Sequence, residues 1–161
     1  MARPLEQPPP GAASATLHHR VAFYETDAMG IVHHANYARF FELARVVWLD
    51  QHDQPYRAYA AAGLHFATTA LEIRYHRSAS FDDVLAVTTW PEWVRRASLR
   101  MGYVVYRGSE RVATGASEHA MVDEAGRPRP IPRERRAVVL QRLAPAAAAP
   151  QAARAGPDGR P

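Results

Sequence analysis

The sequence of 161 residues contains no cysteine and no lysine, and all 20 of its cationic side chains are arginine. The lack of cysteine excludes disulfides, thiolate metal ligands and thiol nucleophiles. The lack of lysine excludes a Schiff-base lysine and the lysine of a phosphate-binding P-loop. No apolar run approaches the roughly 20 residues of a membrane span, and the N-terminal residues lack the apolar centre of a signal peptide. We therefore expect a cytoplasmic protein with no membrane span.

The length suits one domain with a substantial core. Residues 1–16 and 144–161 are rich in proline and alanine and poor in large apolar groups, which predicts disordered tails around a folded domain at 17–143. The formal charge is +4 and the sequence pI about 9.8. Because the arginines are scattered, a nucleic-acid partner is possible but not favoured.

The hydrophobic pattern predicts one strand, one long helix and then a run of strands. Residues 17–25 read as the first strand, and Asn36 can cap a helix that continues to about residue 52. Apolar groups cover most of the circumference of that helix, so it should be largely buried. From about residue 71 the period changes to two, with strands near 71–76, 84–93, 97–106 and 111–123. A short helix near 56–62 and a C-terminal helix at 133–143 complete the prediction.

This order predicts an α+β fold. An antiparallel sheet with one apolar face needs a cover, and the long helix is the element of the right size. A curved antiparallel sheet wrapped around one long central helix is therefore expected.

The most informative segment is 24–37, Tyr-Glu-Thr-Asp-Ala-Met-Gly-Ile-Val-His-His-Ala-Asn-Tyr. Asp27 ends an apolar run, Gly30 follows three residues later, and the long helix begins near Asn36. The first N–H groups of a helix lack intrahelical partners and carry positive partial charge. A carboxylate beside such donors is suited to hydrolysis of an activated acyl group. Asp27 as an ordinary turn residue is the alternative.

This segment resembles the active-site segment of hotdog-fold acyl-CoA thioesterases, of the 4-hydroxybenzoyl-CoA thioesterase type, including the Tol–Pal-associated branch. Weaker likeness continues through Glu72-Ile73-Arg74-Tyr75, Phe81 to Leu85 and the Arg-Pro-Ile-Pro at 129–132. The resemblance implies a hotdog fold, a homodimer or homotetramer, and an active site at the subunit interface.

The resemblance also implies roles for individual residues. The family's acid corresponds to Asp27, and its helix-start N–H that polarises the thioester carbonyl corresponds to that of His34. Gly30 and His33 are expected to bind substrate. Arg95 and Arg96 resemble the basic pair that meets the phosphates of coenzyme A, although a solvated hairpin tip is an equal interpretation.

Chemically, Asp27 can attack the acyl carbon and form a mixed anhydride, or it can deprotonate a water molecule. We expect no metal and no cofactor, since the neighbouring side chains of His33 and His34 point in different directions and coenzyme A is part of the substrate. The alternatives are a hotdog module that binds acyl-CoA or acyl carrier protein without hydrolysis, a basic regulatory module, and an acyl-thioester dehydratase. Phe66, Trp90 and Trp93 are candidates for lining an acyl pocket.

Overall fold

The computed structural model describes residues 5–145, and the remainder of the two predicted tails lies outside the described residues. The described part contains five strands, three α-helices and one short 3₁₀ helix at Phe23–Glu25. The strands are β1 (Ala15–Arg20), β2 (Leu64–Tyr75), β3 (Val84–Val94), β4 (Ser98–Arg107) and β5 (Glu110–Asp123). The helices are α1 (Asn36–His52), α2 (Tyr56–Ala61) and α3 (Arg133–Arg142).

All strand pairs are antiparallel, and the strands form one sheet in the order β1-β3-β4-β5-β2. Helix α1 packs against β1 at one edge, against its neighbour β3, and against β2 at the other edge. A sheet can touch one helix from both of its edges only if it curves around that helix. The predicted architecture is therefore confirmed.

The core lies between α1 and the concave face of the sheet. Phe41 of α1 stacks on Tyr103 of β4 with ring centroids 4.2 Å apart and ring planes 2° apart. Gly115 of β5 makes room for this pair, since a Cβ there would lie 2.4 Å from the Phe41 ring. The other buried side chains of α1 are those of Tyr37, Phe40, Ala44, Arg45, Trp48 and Leu49.

Three sequence predictions need correction. The first strand ends at Arg20 because residues 23–25 form the 3₁₀ helix. The strand also begins at Ala15, two residues before the predicted domain boundary, because Ala15 is buried and pairs with Thr89. Strand β2 starts at Leu64 rather than near residue 71.

Helix α1 is buried on one side only. Glu42 and Leu43 are exposed, so the prediction of burial around most of its circumference is too broad. On this exposed side, Glu42 lines a cavity together with residues of the edge strand β2.

Candidate active site

The segment that carries Asp27 forms a tight loop between the 3₁₀ helix and α1. The Gly30 N–H donates to the Asp27 carbonyl at 2.9 Å, and the Asp27 N–H donates to the Ile31 carbonyl at 2.9 Å. Gly30 has φ +73°, a conformation that residues with a side chain rarely adopt. The glycine therefore closes the turn that presents Asp27, and it does not line the cavity beside it.

The Asp27 carboxylate is half-buried and is held by its own loop. Its Oδ1 accepts the Met29 N–H at 2.8 Å, and within residues 5–145 its Oδ2 receives no hydrogen bond. One oxygen is thus fixed by a local bond of the kind that Asp makes in turns, and the other is available to a ligand.

The start of α1 is arranged differently from the prediction. Asn36 does not cap the helix: it is the first helical residue, and its Nδ2 donates to the Glu25 carbonyl at 2.7 Å. The N–H groups of residues 36, 37 and 38 donate to the carbonyls three residues earlier, which tightens the first turn. The N–H groups of this first turn bond to carbonyls within the turn, so none of them requires the Asn36 side chain. The Asn36 amide bonds to the Glu25 carbonyl instead and joins the helix to the preceding loop.

The His34 N–H is the donor that this arrangement leaves over. Within the described residues, no hydrogen-bond acceptor is found for it. The His33 carbonyl, in the same peptide unit, accepts the Asn36 N–H at 2.9 Å and so points into the helix. Because the N–H and C=O of a trans peptide point in opposite directions, the His34 N–H points outward past the helix start. An outward-pointing N–H of this kind is the type of donor that can stabilise an oxyanion.

Asp27 and His34 line the same cavity, of about 310 Å³, which we call the Asp27 cavity. Tyr37 and Tyr75 line it as well, with ring centroids 5.3 Å apart. Burial, reinforced by Tyr75, raises the pKa of Tyr37 to about 12, and burial also raises the pKa of Tyr75. Both phenols are therefore protonated at neutral pH, and the Tyr75 hydroxyl donates to the His34 carbonyl at 3.0 Å.

Two positions that sequence reasoning missed support the loop. Glu25 is buried: its carboxylate accepts the Ala22 N–H and lies 2.8 Å from His19 Nε2, and its carbonyl accepts the His33 N–H at 2.8 Å. Tyr75 is the other, through its bond to the helix start. Both residues lie in segments that resemble the family. Their supporting role becomes visible only through contacts with residues distant in the sequence.

The remaining predicted site residues lie elsewhere. His33 is exposed, its Nδ1 accepts the Ala35 N–H at 3.3 Å, and its side chain does not line the Asp27 cavity. Arg95 and Arg96 are exposed at the β3–β4 hairpin, with the Arg95 guanidinium 4.4 Å from the Trp93 ring centroid. Strand β3 begins near the Asp27 loop and has 11 residues, so it spans about 33 Å. The arginine pair follows its last residue and therefore lies at the opposite end of the sheet.

Of the three aromatic residues expected near an acyl pocket, one lines a cavity. Phe66 contributes to a second cavity between α1 and β2. Trp90 packs over Gly102, and Trp93 carries the Arg95 guanidinium, so neither lines the cavities beside α1.

Within residues 5–145 there is no group of three or more histidine or acidic side chains arranged to hold a metal ion. In that same part of the chain, no helix combines the length and apolar character needed to cross a membrane.

Comparison with known proteins identifies the superfamily of this chain. The model of the Thioesterase-like superfamily matches residues 21–145. The chain belongs to this superfamily. An acyl-CoA thioesterase YbgC of Haemophilus influenzae is 31% identical over 113 residues, which are 70% of this chain and 82% of the relative. A 1,4-dihydroxy-2-naphthoyl-CoA hydrolase of Thermosynechococcus vestitus is 32% identical over 115 residues, 70% of this chain and 79% of the relative.

Two solved structures are similar to this chain in both fold and sequence. The crystal structure of the protein AQ1494 from Aquifex aeolicus is similar with a TM-score of 0.73 and 35% identity, covering 77% of this chain and 98% of that one. The crystal structure of TT1821 from Thermus thermophilus gives a TM-score of 0.76 at 30% identity, covering 82% and 100%.

Proposed function

We propose that this protein hydrolyses acyl-CoA thioesters in the Asp27 cavity, releasing coenzyme A and a carboxylic acid without metal or cofactor. The observation that carries the proposal is that a half-buried carboxylate with an uncommitted oxygen and an unpartnered N–H at a helix start line one cavity. The names of the relatives, an acyl-CoA thioesterase and an aryl-CoA hydrolase, support the same reaction.

The proposed reaction needs two contributions from the protein. The His34 N–H stabilises the negative charge that develops on the thioester oxygen, and loss of one such donor typically costs about 2.7–4 kcal/mol of barrier. Asp27 delivers the oxygen nucleophile. The bond from acyl carbon to sulfur then breaks, and the thiolate leaves and takes up a proton; a thiolate is a good enough leaving group to dispense with a general acid.

Asp27 can deliver oxygen by direct attack, with water then cleaving the mixed anhydride, or by deprotonating water. A single turnover in oxygen-18 water, followed by mass spectrometry of the protein and the product acid, distinguishes the two routes. Label in the Asp27 carboxylate identifies the anhydride route with water attacking the aspartyl carbon. A product acid that carries all of the label, together with no trapping of the acyl enzyme by hydroxylamine, identifies the water route.

We further propose that two copies pair along the free edge of β2. This strand has 12 residues and lies at the end of the sheet, and long unprotected edges are prone to pair with another chain. Two large apolar residues of this strand remain partly exposed, Leu71 at 44% and Tyr75 at 49%. Tyr75 also lines the Asp27 cavity, so the pairing would place the site at a subunit boundary. The resulting assembly is a dimer, or a tetramer of two such dimers.

Antiparallel pairing of the two β2 edges would also give the arginine pair a role. The β3–β4 hairpin lies at the sheet end where β2 begins, whereas the Asp27 cavity lies where β2 ends. A two-fold axis through β2 brings these ends together, so that the partner's Arg95 and the partner's Arg96 approach this chain's cavity. Arginine suits the phosphates of coenzyme A through its fork of donors.

Thiol-release kinetics over benzoyl-, short-chain and long-chain CoA esters test the proposed activity. Saturable turnover supports it. Tight binding of acyl-CoA without thiol release would instead favour the non-hydrolytic binding module. Sedimentation of the purified chain tests the assembly, and a monomer at micromolar concentration would contradict pairing along β2.

The arginine role has its own test. Arg95→Ala with Arg96→Ala should raise KM for CoA esters and leave KM for N-acetylcysteamine thioesters unchanged, because the short thioesters lack phosphates. Arg133→Ala with Arg142→Ala is the matched control, since both residues are exposed on α3. Equal effects on both substrate types would remove the phosphate role.

A further inference from the structure

A second cavity, of about 300 Å³, lies between α1 and β2, and we call it the Arg45 cavity. It begins where the Asp27 cavity ends: Tyr37 lines the first and Ala38 the second, while on β2 Tyr75 lines the first and Leu71 the second. Both cavities therefore lie along one groove between the central helix and the edge strand.

The Arg45 side chain is buried in this cavity, and within residues 5–145 it forms no ion pair. The residue is 6% exposed, and its Nε and Nη1 make no hydrogen bond. The aromatic ring of Tyr56 lies 5.7 Å from its Cζ, which compensates the charge only in part. Arginine cannot shed its proton in a protein, and an unpaired buried charge is strongly unfavourable. A buried guanidinium of this kind is therefore suited to binding an anion.

The side chains opposite Arg45 are polar but uncharged. Tyr103 Oη lies 2.8 Å from Ser117 Oγ, Ser117 Oγ lies 2.7 Å from His119 Nε2, and Thr68 Oγ1 lies 3.3 Å from His119 Nδ1. Burial, reinforced by the Arg45 charge, lowers the pKa of His119 to about 3. This imidazole is neutral at pH 7, so the chain of hydrogen bonds supplies no compensating charge.

The rim of the cavity does not neutralise Arg45 either. Glu42 and Arg39 line it, are exposed, and carry opposite charges. Among the described residues, no carboxylate lies within 4.0 Å of the Arg45 guanidinium. The lining therefore has one net positive charge, located at its buried end.

The position of Arg45 sets where an acyl group would meet it. Arg45 lies nine residues after Asn36, a rise of about 13 Å along α1. Helical side chains lean toward the N-terminus, so the guanidinium is nearer to the Asp27 cavity than its Cα. An acyl group whose carbonyl oxygen accepts the His34 N–H and whose chain extends along the groove would bring its distal end to Arg45.

We propose that the preferred substrates are acyl-CoA esters whose acyl group ends in a carboxylate, and that Arg45 binds this carboxylate. The inference rests on the proposed hydrolysis at Asp27 and adds the substrate class. The phenol, hydroxyl and imidazole opposite Arg45 provide neutral hydrogen-bonding partners for the rest of the polar group, while Phe41 and Phe66 line the path of the methylene chain.

The test compares octanedioyl-CoA with octanoyl-CoA, and hexanedioyl-CoA with hexanoyl-CoA, by kcat/KM. The wild type should prefer the dicarboxylic member of at least one pair by about tenfold to a hundredfold, the worth of a charge-assisted hydrogen bond. Arg45→Met should abolish this preference and retain hydrolysis of the monocarboxylic ester. Arg39→Met, which removes an exposed arginine from the rim of the same cavity, should keep the preference.

Inhibition of the wild type by free octanedioate and octanoate gives a second measurement that needs no variant. Octanedioate should inhibit about tenfold more strongly. Equal kcat/KM within both pairs, or equal inhibition, would overturn the inference while leaving the hydrolase proposal intact. Loss of the dimer in Arg45→Met without any change of preference would assign the counterion to a second copy and also overturn it. Absence of thiol release from every ester would refute the hydrolase proposal itself.

Discussion

The two ends of the groove between α1 and β2 handle polar groups in different ways. At the Asp27 cavity, the important groups are a half-buried carboxylate and a backbone N–H, both held by main-chain hydrogen bonds of one short loop. At the Arg45 cavity, the buried polar groups are side chains from α1, β4 and β5, namely Arg45, Tyr103, Ser117 and His119. The comparison teaches that the Asp27 end, which is the reacting end in our proposal, depends on local backbone geometry, whereas the Arg45 end, which we call the inner end, depends on tertiary packing.

The largest effect on kcat is expected from a substitution of Asp27. Asp27→Asn should lower kcat by about a hundredfold to ten-thousandfold, because the amide can neither attack the acyl carbon nor accept a proton from water. The free energy of unfolding should change by less than about 0.5 kcal/mol, since the local hydrogen bond to the Met29 N–H can be retained. Thiol release and denaturant unfolding measure the two effects.

Asp50→Asn serves as the control, because Asp50 is an exposed aspartate near the other end of α1. It should leave kcat unchanged. An Asp27→Asn variant with normal kcat would remove Asp27 from the chemistry.

Substitutions at the Arg45 end should change the free energy of unfolding. Phe41→Ala removes the ring stacked on Tyr103 and should lower the free energy of unfolding by about 3–5 kcal/mol. Leu140→Ala, at a leucine 46% exposed on α3, should change it by about 0.5 kcal/mol or less. Equal losses in the two variants, measured by urea unfolding, would contradict the burial contrast.

The inner end should also respond to pH. The pKa of His119 is about 3 in the folded protein and 6.5 unperturbed, so between these values the unfolded chain binds a proton that the folded protein excludes. The contribution of His119 to stability is therefore complete above pH 6.5 and is lost as the pH falls toward 3. The slope should be about 1.4 kcal/mol per pH unit for this one proton.

Urea unfolding of the wild type and of His119→Gln at several pH values between 7 and 4 measures this slope. Glutamine does not titrate, so the difference between the two proteins should shrink as the pH falls. A constant difference across the range would show that His119 does not remain neutral in the folded protein.

The smallest effect on kcat is expected from a substitution of Tyr75, which lies where the two cavities approach each other. Tyr75→Phe removes the hydroxyl that donates to the His34 carbonyl at 3.0 Å. A hydrogen bond of this kind is worth about 0.5–1.5 kcal/mol, so kcat should fall by about twofold to tenfold. Tyr24→Phe is the control at a tyrosine 76% exposed, and it should be neutral. A larger loss in the control would mean that the two hydroxyls had been ranked wrongly.

Local patterns were sufficient to predict most of the fold. Strands β3, β4 and β5 follow from alternation and from turns at residues 82–83, 107–110 and 124–126, and α1 follows from its apolar spacing. The first half of β2 was missed because Ala67, Thr68, Thr69 and Ala70 show no alternation, and a register shift between Thr68 and Ala70 interrupts the ladder with β5. That half of the strand is specified by its partner rather than by its own sequence.

The candidate site divides in the same way. The sequence indicated Asp27, Gly30 and the helix start, since they lie within one short segment. It could not indicate Tyr75 or His119, which reach the groove only through the pairing of β2 with β5. Asn36 shows the limit of a local rule: asparagine is a good capping residue, but here the carbonyl of Glu25 competes successfully for its side chain.

The segment before β1 has a practical consequence for anyone who shortens or labels this protein. The Trp48 indole donates to the Ala13 carbonyl at 2.9 Å, and the Ala13 N–H donates to the Arg142 carbonyl at 2.9 Å, which joins the N-terminal segment to both α1 and α3. A version beginning at Leu17 would leave a buried indole donor without its acceptor. In a variant that keeps Trp48 as its single tryptophan, with Trp90 and Trp93 replaced by Phe, the emission wavelength should report that detachment and so identify the shortest N-terminus that keeps the domain intact.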